Sequence, residues 1–375
     1  MLYQTSQTHK WIYTLTCQPI KKSMASSLIH LRQLAIAASL FPPTSLAQAI
    51  QHLGFVQADP IGAPARAQDL ILRHRVNQYR IDDLDQQYAE LDLEEDFLYA
   101  YGFMPQSTWQ LLHPRTRPAL SPIQQQVLAI VTQQGRIHPR QLEIYLGTSR
   151  ERNDWGGYSK ATTRALQTLH QQGYLRVAHR QSGIRLYERA ALPPSPMSLD
   201  ERLRQLVLVM AKLLGPLSER SLQAFVHQLR YASATFTNRR SIVRKLIDAA
   251  DLSSVVIDKV RYVWAPSSRN PDFVNETVRF LTPFDPLVID RNRFEYFWGW
   301  AYRFEAYTPP RKRQLGYYAM PMLWRDDVVG WVNVFQQGDQ IQVEPGFKKA
   351  LRFDGAFERE YEAEVERFAV FLQKR

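Results

Sequence analysis

The 375-residue chain has a single cysteine, Cys17. That excludes an internal disulfide, a cysteine-ligated zinc site and an iron–sulfur cluster, and it suits the cytoplasm. Lysine is also scarce: 11 of the 47 basic residues are Lys, and there is none between Lys22 and Lys160. No apolar run reaches the length needed to cross a bilayer. The first 23 residues carry three lysines and no acids, without a convincing signal-peptide cleavage pattern. Residues 1–27 are therefore read as a disordered extension or a misassigned start, with Met24 just ahead of the first amphipathic helix.

Arginine is what the chain has in quantity. The net charge is +11, and residues 133–270 hold 22 bases against 10 acids, whereas residues 24–132 hold 7 against 10 and residues 271–375 hold 15 against 16. An Arg-rich surface in the middle of a chain suits phosphate, because the planar guanidinium matches phosphate oxygens. The plain alternative is a well-solvated basic face.

Two stretches share one order of elements. Residues 121–192 run through helical patterns in "PIQQQVLAIVTQQG", "HPRQLEIYLG" and "SKATTRALQTLHQQG". The alternating "YLRVAHRQSGIRLYERA" follows, with Ser182-Gly183 as a hairpin turn. Residues 197–270 repeat this with "SLDERLRQLVLVMAKLLG", opened by a Ser198/Glu201 capping box, then "SERSLQAFVHQLR", "NRRSIVRKLIDAADL" and the hairpin "SSVVIDKVRYVWAP". Three helices and a two-stranded wing make a winged helix. Residues 28–120 read as a modified first copy, with helices at 30–39, 44–53 and 65–76 and an acidic stretch, 83–97, as separator. Residues 271–375 read as sheet, rich in aromatic and β-branched residues, closed by an amphipathic helix. The fold class is α+β: three tandem winged helices and a β-rich C-terminal region.

In "HLGFVQADPIGAPARAQDLILRHR" (52–75), an apolar run delivers Gln57 and Asp59 on either side of one alanine. In an extended segment these two side chains share a face. Asp59-Pro60 also looks like a helix N-cap followed by proline at the first helical position, with Gln57 satisfying a backbone group. The residues alone leave both readings open.

Taken with "LTPFDPLVIDRNR" (281–293) and "YRFEAYTPPRKRQLGYYAMPML" (302–323), the Gln-x-Asp segment resembles a known family. This is the tandem winged-helix DNA glycosylases that unhook interstrand crosslinks, the AlkZ/AlkX type with Gln-x-Asp. The resemblance implies a C-shaped arrangement and excision of N7-alkylated guanines from double-stranded DNA, with Gln57 and Asp59 as the catalytic pair and no metal or small-molecule cofactor. An N7-alkylguanine is already a cationic leaving group, so the enzyme has to stabilise a sugar cation and aim a water at C1′. A carboxylate does both, and an amide two residues away holds the water. This chain departs from many relatives at Tyr99, where histidine is common, and at Trp331 and Asn333, where a basic residue and an aspartate are common; some relatives place Gln at the position of Asp59.

The lysine gap has a chemical consequence. A bifunctional glycosylase needs an amine for a Schiff base, so the chain reads as monofunctional. Candidate phosphate contacts are Arg66 and Arg73 after the pair, with His74 beside them as an ordinary partly buried histidine. In the first repeat they are Lys160 and Arg164 on the third helix and Arg176, Arg180 and Arg185 in the wing. In the second they are Arg239, Arg240, Arg244 and Lys245. The aromatic cluster Phe294, Tyr296, Phe297, Trp298 and Trp300 reads as core. A monomer in the cytoplasm, on the nucleoid when bound to DNA, completes the expectation. The competing class is a non-catalytic winged-helix DNA-binding or regulatory protein in which Gln-x-Asp is only structural.

Overall fold

The computed structural model describes residues 22–115, 117–152, 158–181, 183–192, 195–266, 276–338, 340–348 and 354–373. Residues 1–21 with Cys17, and Ser182 of the hairpin turn, lie outside them. Helix α1 (Lys22–Ser39) starts inside the stretch read as an extension. It buries Leu28, Leu31, Ala35, Ile36 and Leu40, the 3- and 4-residue spacing of one helical face, against Phe294, Trp298 and Tyr302 of the C-terminal region.

Three units of one design follow. The first is α2 (Leu46–Leu53), β1 (Val56–Gln57), α3 (Ala67–Leu72), α4 (Asp83–Gln87), β2 (Leu93–Phe97) and β3 (Tyr101–Pro105). A short helix α5 (Gln106–Leu111) leads out of it. In the second unit, α6 (Pro122–Gln134), β4 (Arg136–Ile137) and α7 (Pro139–Leu146) come first. The small pair β5 (Arg150–Arg152) and β6 (Tyr158–Lys160) then precedes α8 (Ala161–Gln171) and the hairpin β7 (Leu175–Gln181) and β8 (Ile184–Arg189). The third is α9 (Leu199–Leu214), β9 (Leu217–Ser218), α10 (Glu219–Ala232), α11 (Ile242–Asp248), β10 (Ser253–Ile257) and β11 (Val260–Trp264). Each unit closes an antiparallel sheet in the same order, first strand, third, second: β1-β3-β2, β4-β8-β7 and β9-β11-β10. The strand carrying Gln57 is thus the counterpart of β4 and β9. Of the helices expected at 30–39, 44–53 and 65–76, the first is part of α1 and the others are α2 and α3; α4 falls in the stretch read as a separator.

Local signals explain the boundaries. Ser121 and Gln124 cap α6 reciprocally with Pro122 in its first turn. At α9 only half of the expected box forms: Ser198 accepts from the Glu201 amide, while the Glu201 carboxylate turns to Arg204 and Gln205. The stretch read as a separator is instead built in, as α4 and the acidic edge strand β2.

The C-terminal region is an antiparallel meander, β12 (Arg279–Phe280), β13 (Met320–Trp324), β14 (Asp327–Gln337) and β15 (Gln340–Phe347), covered by α13 (Gly355–Leu372). Within it, residues 291–298 depart from the expected sheet and form helix α12 (Arg291–Trp298). Asp290 accepts from the Arg293 amide at its start and Gly299 takes the left-handed conformation at its end. Phe294, Phe297 and Trp298 are core residues, as expected of them.

Candidate active site

The opening segment places its pair where a short strand leaves the core. Val56 pairs with Phe103 and Gln57 with Gly102, and the Ala58 amide donates to the Tyr101 carbonyl at 2.9 Å. Position 102 must be glycine: a Cβ there would lie 2.3 Å from the Val56 carbonyl oxygen and 2.5 Å from the Phe55 ring. This close approach continues the extended backbone past Gln57, and strand alternation then puts Gln57 and Asp59 on one side.

Gln57 is buried, and its Oε1 accepts no hydrogen bond from the described residues. Asp59 is half-buried, with Oδ1 accepting from the Ile61 amide at 2.9 Å. Burial raises its pKa, and the Ile61 hydrogen bond offsets part of that rise. No cation pairs with it among the described residues. Asp59 does not cap a helix: α3 starts at Ala67, with Arg66 in the N-cap position. Its carboxylate instead closes a two-residue Asx turn ahead of the loop.

The opposite wall comes from the two distant motifs. The Tyr318 hydroxyl lies 2.9 Å from Thr282 Oγ1, and the Phe304 ring packs edge-on against Tyr318 and Phe284, each at 5.3 Å. Burial chiefly holds the Tyr318 phenol protonated, opposed by the Thr282 hydrogen bond and reinforced by the charges of Tyr302 and Asp59. Arg75, fully buried, fastens this wall to the first unit. It grips both oxygens of Asp285 (2.9 and 3.0 Å), the Ser39 carbonyl (2.9 Å) and hydroxyl (2.7 Å), and the Ile71 carbonyl (2.7 Å). Tyr318, Thr282, Arg75 and Asp285 were not singled out from the sequence. Three of them lie within motifs that carried the resemblance or next to its end, so position was legible but partnership was not.

Among the departures, Tyr99 is buried between the rings of Phe55 and Phe225, Trp331 packs on Trp300, and Asn333 donates to the Leu315 carbonyl at 2.7 Å.

Most of the expected phosphate-binding cations already have anionic partners. Arg66 holds Asp69, Asp82 and Asp85 at 3.1, 2.9 and 2.7 Å. Arg73 is buried beneath α13, paired with Glu364 at 2.8 Å and stacked over Phe368, so it is a tie between units and not a strand contact. His74 is fully enclosed, its Nε2 2.9 Å from the Phe280 carbonyl, and burial together with Arg73 and Arg279 keeps it neutral. Lys160 pairs with Glu143 at 2.6 Å.

The wing arginines of the second unit turn inward onto β2. Arg176 meets Glu94 at 2.8 Å, Arg180 meets Glu95 at 2.6 Å and Arg185 meets Glu95 at 3.1 Å. Burial alone would raise the Glu95 pKa; the hydrogen bonds and charge of Arg180, with Arg185 and Tyr101, leave it lowered. Arg115 joins them on Asp96 at 2.7 Å. Arg164 is half-buried. Arg240, Arg244 and Lys245 are exposed, Arg244 in a surface pair with Asp248 at 3.2 Å, and Arg239 donates to the Phe236 carbonyl.

A buried amide with a free oxygen, an unpaired half-buried carboxylate and a hydroxyl-lined wall suit hydrolysis at a carbon that gains positive charge. Comparison with known proteins points the same way. The sequence model of the family "DNA glycosylase AlkZ-like" matches residues 50–371. The fold is similar to the solved structure of Streptomyces sahachiroi DNA glycosylase AlkZ, with a TM-score of 0.58 at 15% identity, covering 92% of this chain and 95% of that one.

Proposed function

Since the chain belongs to the AlkZ-like DNA glycosylase family, we propose that it excises N7-alkylguanine from double-stranded DNA and unhooks interstrand crosslinks built on that base, with Asp59 and Gln57 as its catalytic pair. Asp59 stabilises the cationic sugar and takes the proton of the attacking water, which Gln57 orients. The observation that carries this reading is the pairing, among the described residues, of a carboxylate without a counter-cation and, two residues away, a buried amide oxygen without a donor. The cationic sugar supplies the charge that Asp59 lacks, and the attacking water supplies the donor that Gln57 lacks.

The three repeated units act as winged helices wrapped in a C around the duplex. Release is monofunctional and leaves an abasic site, so borohydride trapping yields no covalent adduct. The protein works as a monomer in the cytoplasm. Single-turnover release of N7-methylguanine from duplex DNA tests the proposal: binding without release returns the chain to the non-catalytic class.

Of the expected basic face, the exposed cations of the third unit are what remain open to phosphate. Arg240→Ala with Lys245→Ala should weaken binding equally on all sequences and flatten the salt slope by about one unit per lost contact. An unchanged slope would remove this face from the docking surface.

A further inference from the structure

The middle of the chain carries the charge excess, but its wing arginines face carboxylates; besides the exposed cations of the third unit, uncommitted positive charge sits on a loop whose foot packs on Tyr318. Residues 303–317 hold Arg303, Arg311, Lys312 and Arg313 together with Tyr307 and Tyr317. One buried carboxylate closes the neck of this loop. Glu305 accepts from the backbone amides of Gln314 (2.9 Å), Leu315 (2.7 Å) and Gly316 (3.2 Å), and the Thr308 amide donates back to the Glu305 carbonyl at 2.9 Å. Asn333 of β14 holds the returning leg through Leu315. Burying a carboxylate is costly unless hydrogen bonds replace its water, so this arrangement fixes the loop's shape.

What the neck holds out is polar and exposed. Tyr307 is 78% exposed, and Arg311 and Lys312 are exposed, with no carboxylate paired to either among the described residues. Arg313 is half-buried, donating to the Thr308 carbonyl at 2.8 Å with its guanidinium over Tyr317. The foot of the loop is part of the active-site wall: Phe304 packs on Tyr318, and the Tyr307 ring stands edge-on to Phe304 at 6.4 Å.

From this geometry we infer that the 305–316 loop clamps the DNA strand bearing the lesion, Arg311 and Lys312 on phosphates flanking the damaged nucleotide and Tyr307 stacked on a neighbouring base. A solvated basic loop would need neither a buried carboxylate at its neck nor an exposed aromatic beside it. The inference rests on the proposed glycosylase activity for the word lesion, but the clamp itself is measured by binding alone.

The test uses the full chain and an undamaged duplex, which calls on no excision. For Arg311→Ala with Lys312→Ala, the slope of log affinity against log salt should become shallower by about 1.8 units, at ~0.9 per phosphate contact. Arg311→Lys should keep the wild-type slope. Tyr307→Ala should keep the slope too, yet bind a duplex with an extruded or missing base roughly tenfold more weakly, as expected for one lost base–aromatic stack. A wild-type slope in the double alanine variant, with an unchanged melting temperature, would overturn the clamp. If the wild type binds with the expected slope but releases no N7-methylguanine, the activity fails while the clamp stands.

Discussion

Asp59→Asn should slow single-turnover release of N7-methylguanine by at least ~10²-fold while leaving DNA affinity and melting temperature close to wild type. The substitution removes charge and little else. Asn retains an Oδ1 that accepts from the Ile61 amide, so the turn that leads into the loop survives. No ion pair is lost, because Asp59 makes none among the described residues. What disappears is the negative charge facing the sugar cation and the oxygen that accepts the water's proton.

Asp59→Ala separates the chemical role from the structural one. It also loses the turn, so it should show the same defect in release plus about 1 kcal/mol of stability. The pH dependence adds a third reading. Burial raises the Asp59 pKa, so the reactive carboxylate is lost as pH falls through a value above the ordinary carboxylate range. Wild-type release should decline on the acid side of that value, and the residual rate of the Asn variant should show no such step. Normal excision by Asp59→Asn would end the catalytic assignment.

The pair itself was legible because its geometry is local: an apolar run announces a strand, and two polar residues two apart share its face. The repeated order of helices and hairpins was legible for the same reason. What sequence could not show was which cation meets which anion. Arg176, Arg180 and Arg185 lie more than eighty residues from the β2 carboxylates they hold, and read alone they are indistinguishable from a phosphate-binding wing. Net charge by segment counts these arginines as surplus; the fold cancels them across units. Residues 291–298 failed differently. Their aromatic composition suggested sheet, while Asp290 and Gly299, a cap at each end of an eight-residue helix, were the stronger signal. The loop 303–317 was quoted only as a mark of resemblance; its tyrosines and bases were visible there, but not which of the bases lack a carboxylate partner.

Asp285→Asn should cost on the order of 3–5 kcal/mol in denaturant unfolding, the largest stability effect expected of any single exchange in the wall motifs. Both partners of the Arg75–Asp285 pair are fully buried. Their net contribution is modest, because desolvation consumes most of the Coulomb gain; the loss of one partner is what hurts, since it strands a charge that cannot reach water. A guanidinium is not deprotonated in proteins, so the stranded charge has no escape by neutralising. Asn is nearly isosteric, which leaves no cavity to share the blame. Besides Arg75, Asp285 Oδ1 accepts from the Leu287 amide at 3.0 Å, and its carbonyl accepts from the Val288 and Ile289 amides. The pair therefore fixes the turn that begins at Thr282 against the segment following α3, and Thr282 in turn meets Tyr318, whose phenol feels the Asp59 charge. A surviving Asp285→Asn protein should thus also release base more slowly than wild type, with the pH step of Asp59 unchanged in direction. Replacing both partners together, Arg75→Met with Asp285→Leu, should recover much of the stability, because no unpaired charge remains buried. If Asp285→Asn unfolds within about 1 kcal/mol of wild type, the guanidinium has another outlet, and this pair does not hold the two halves of the site together.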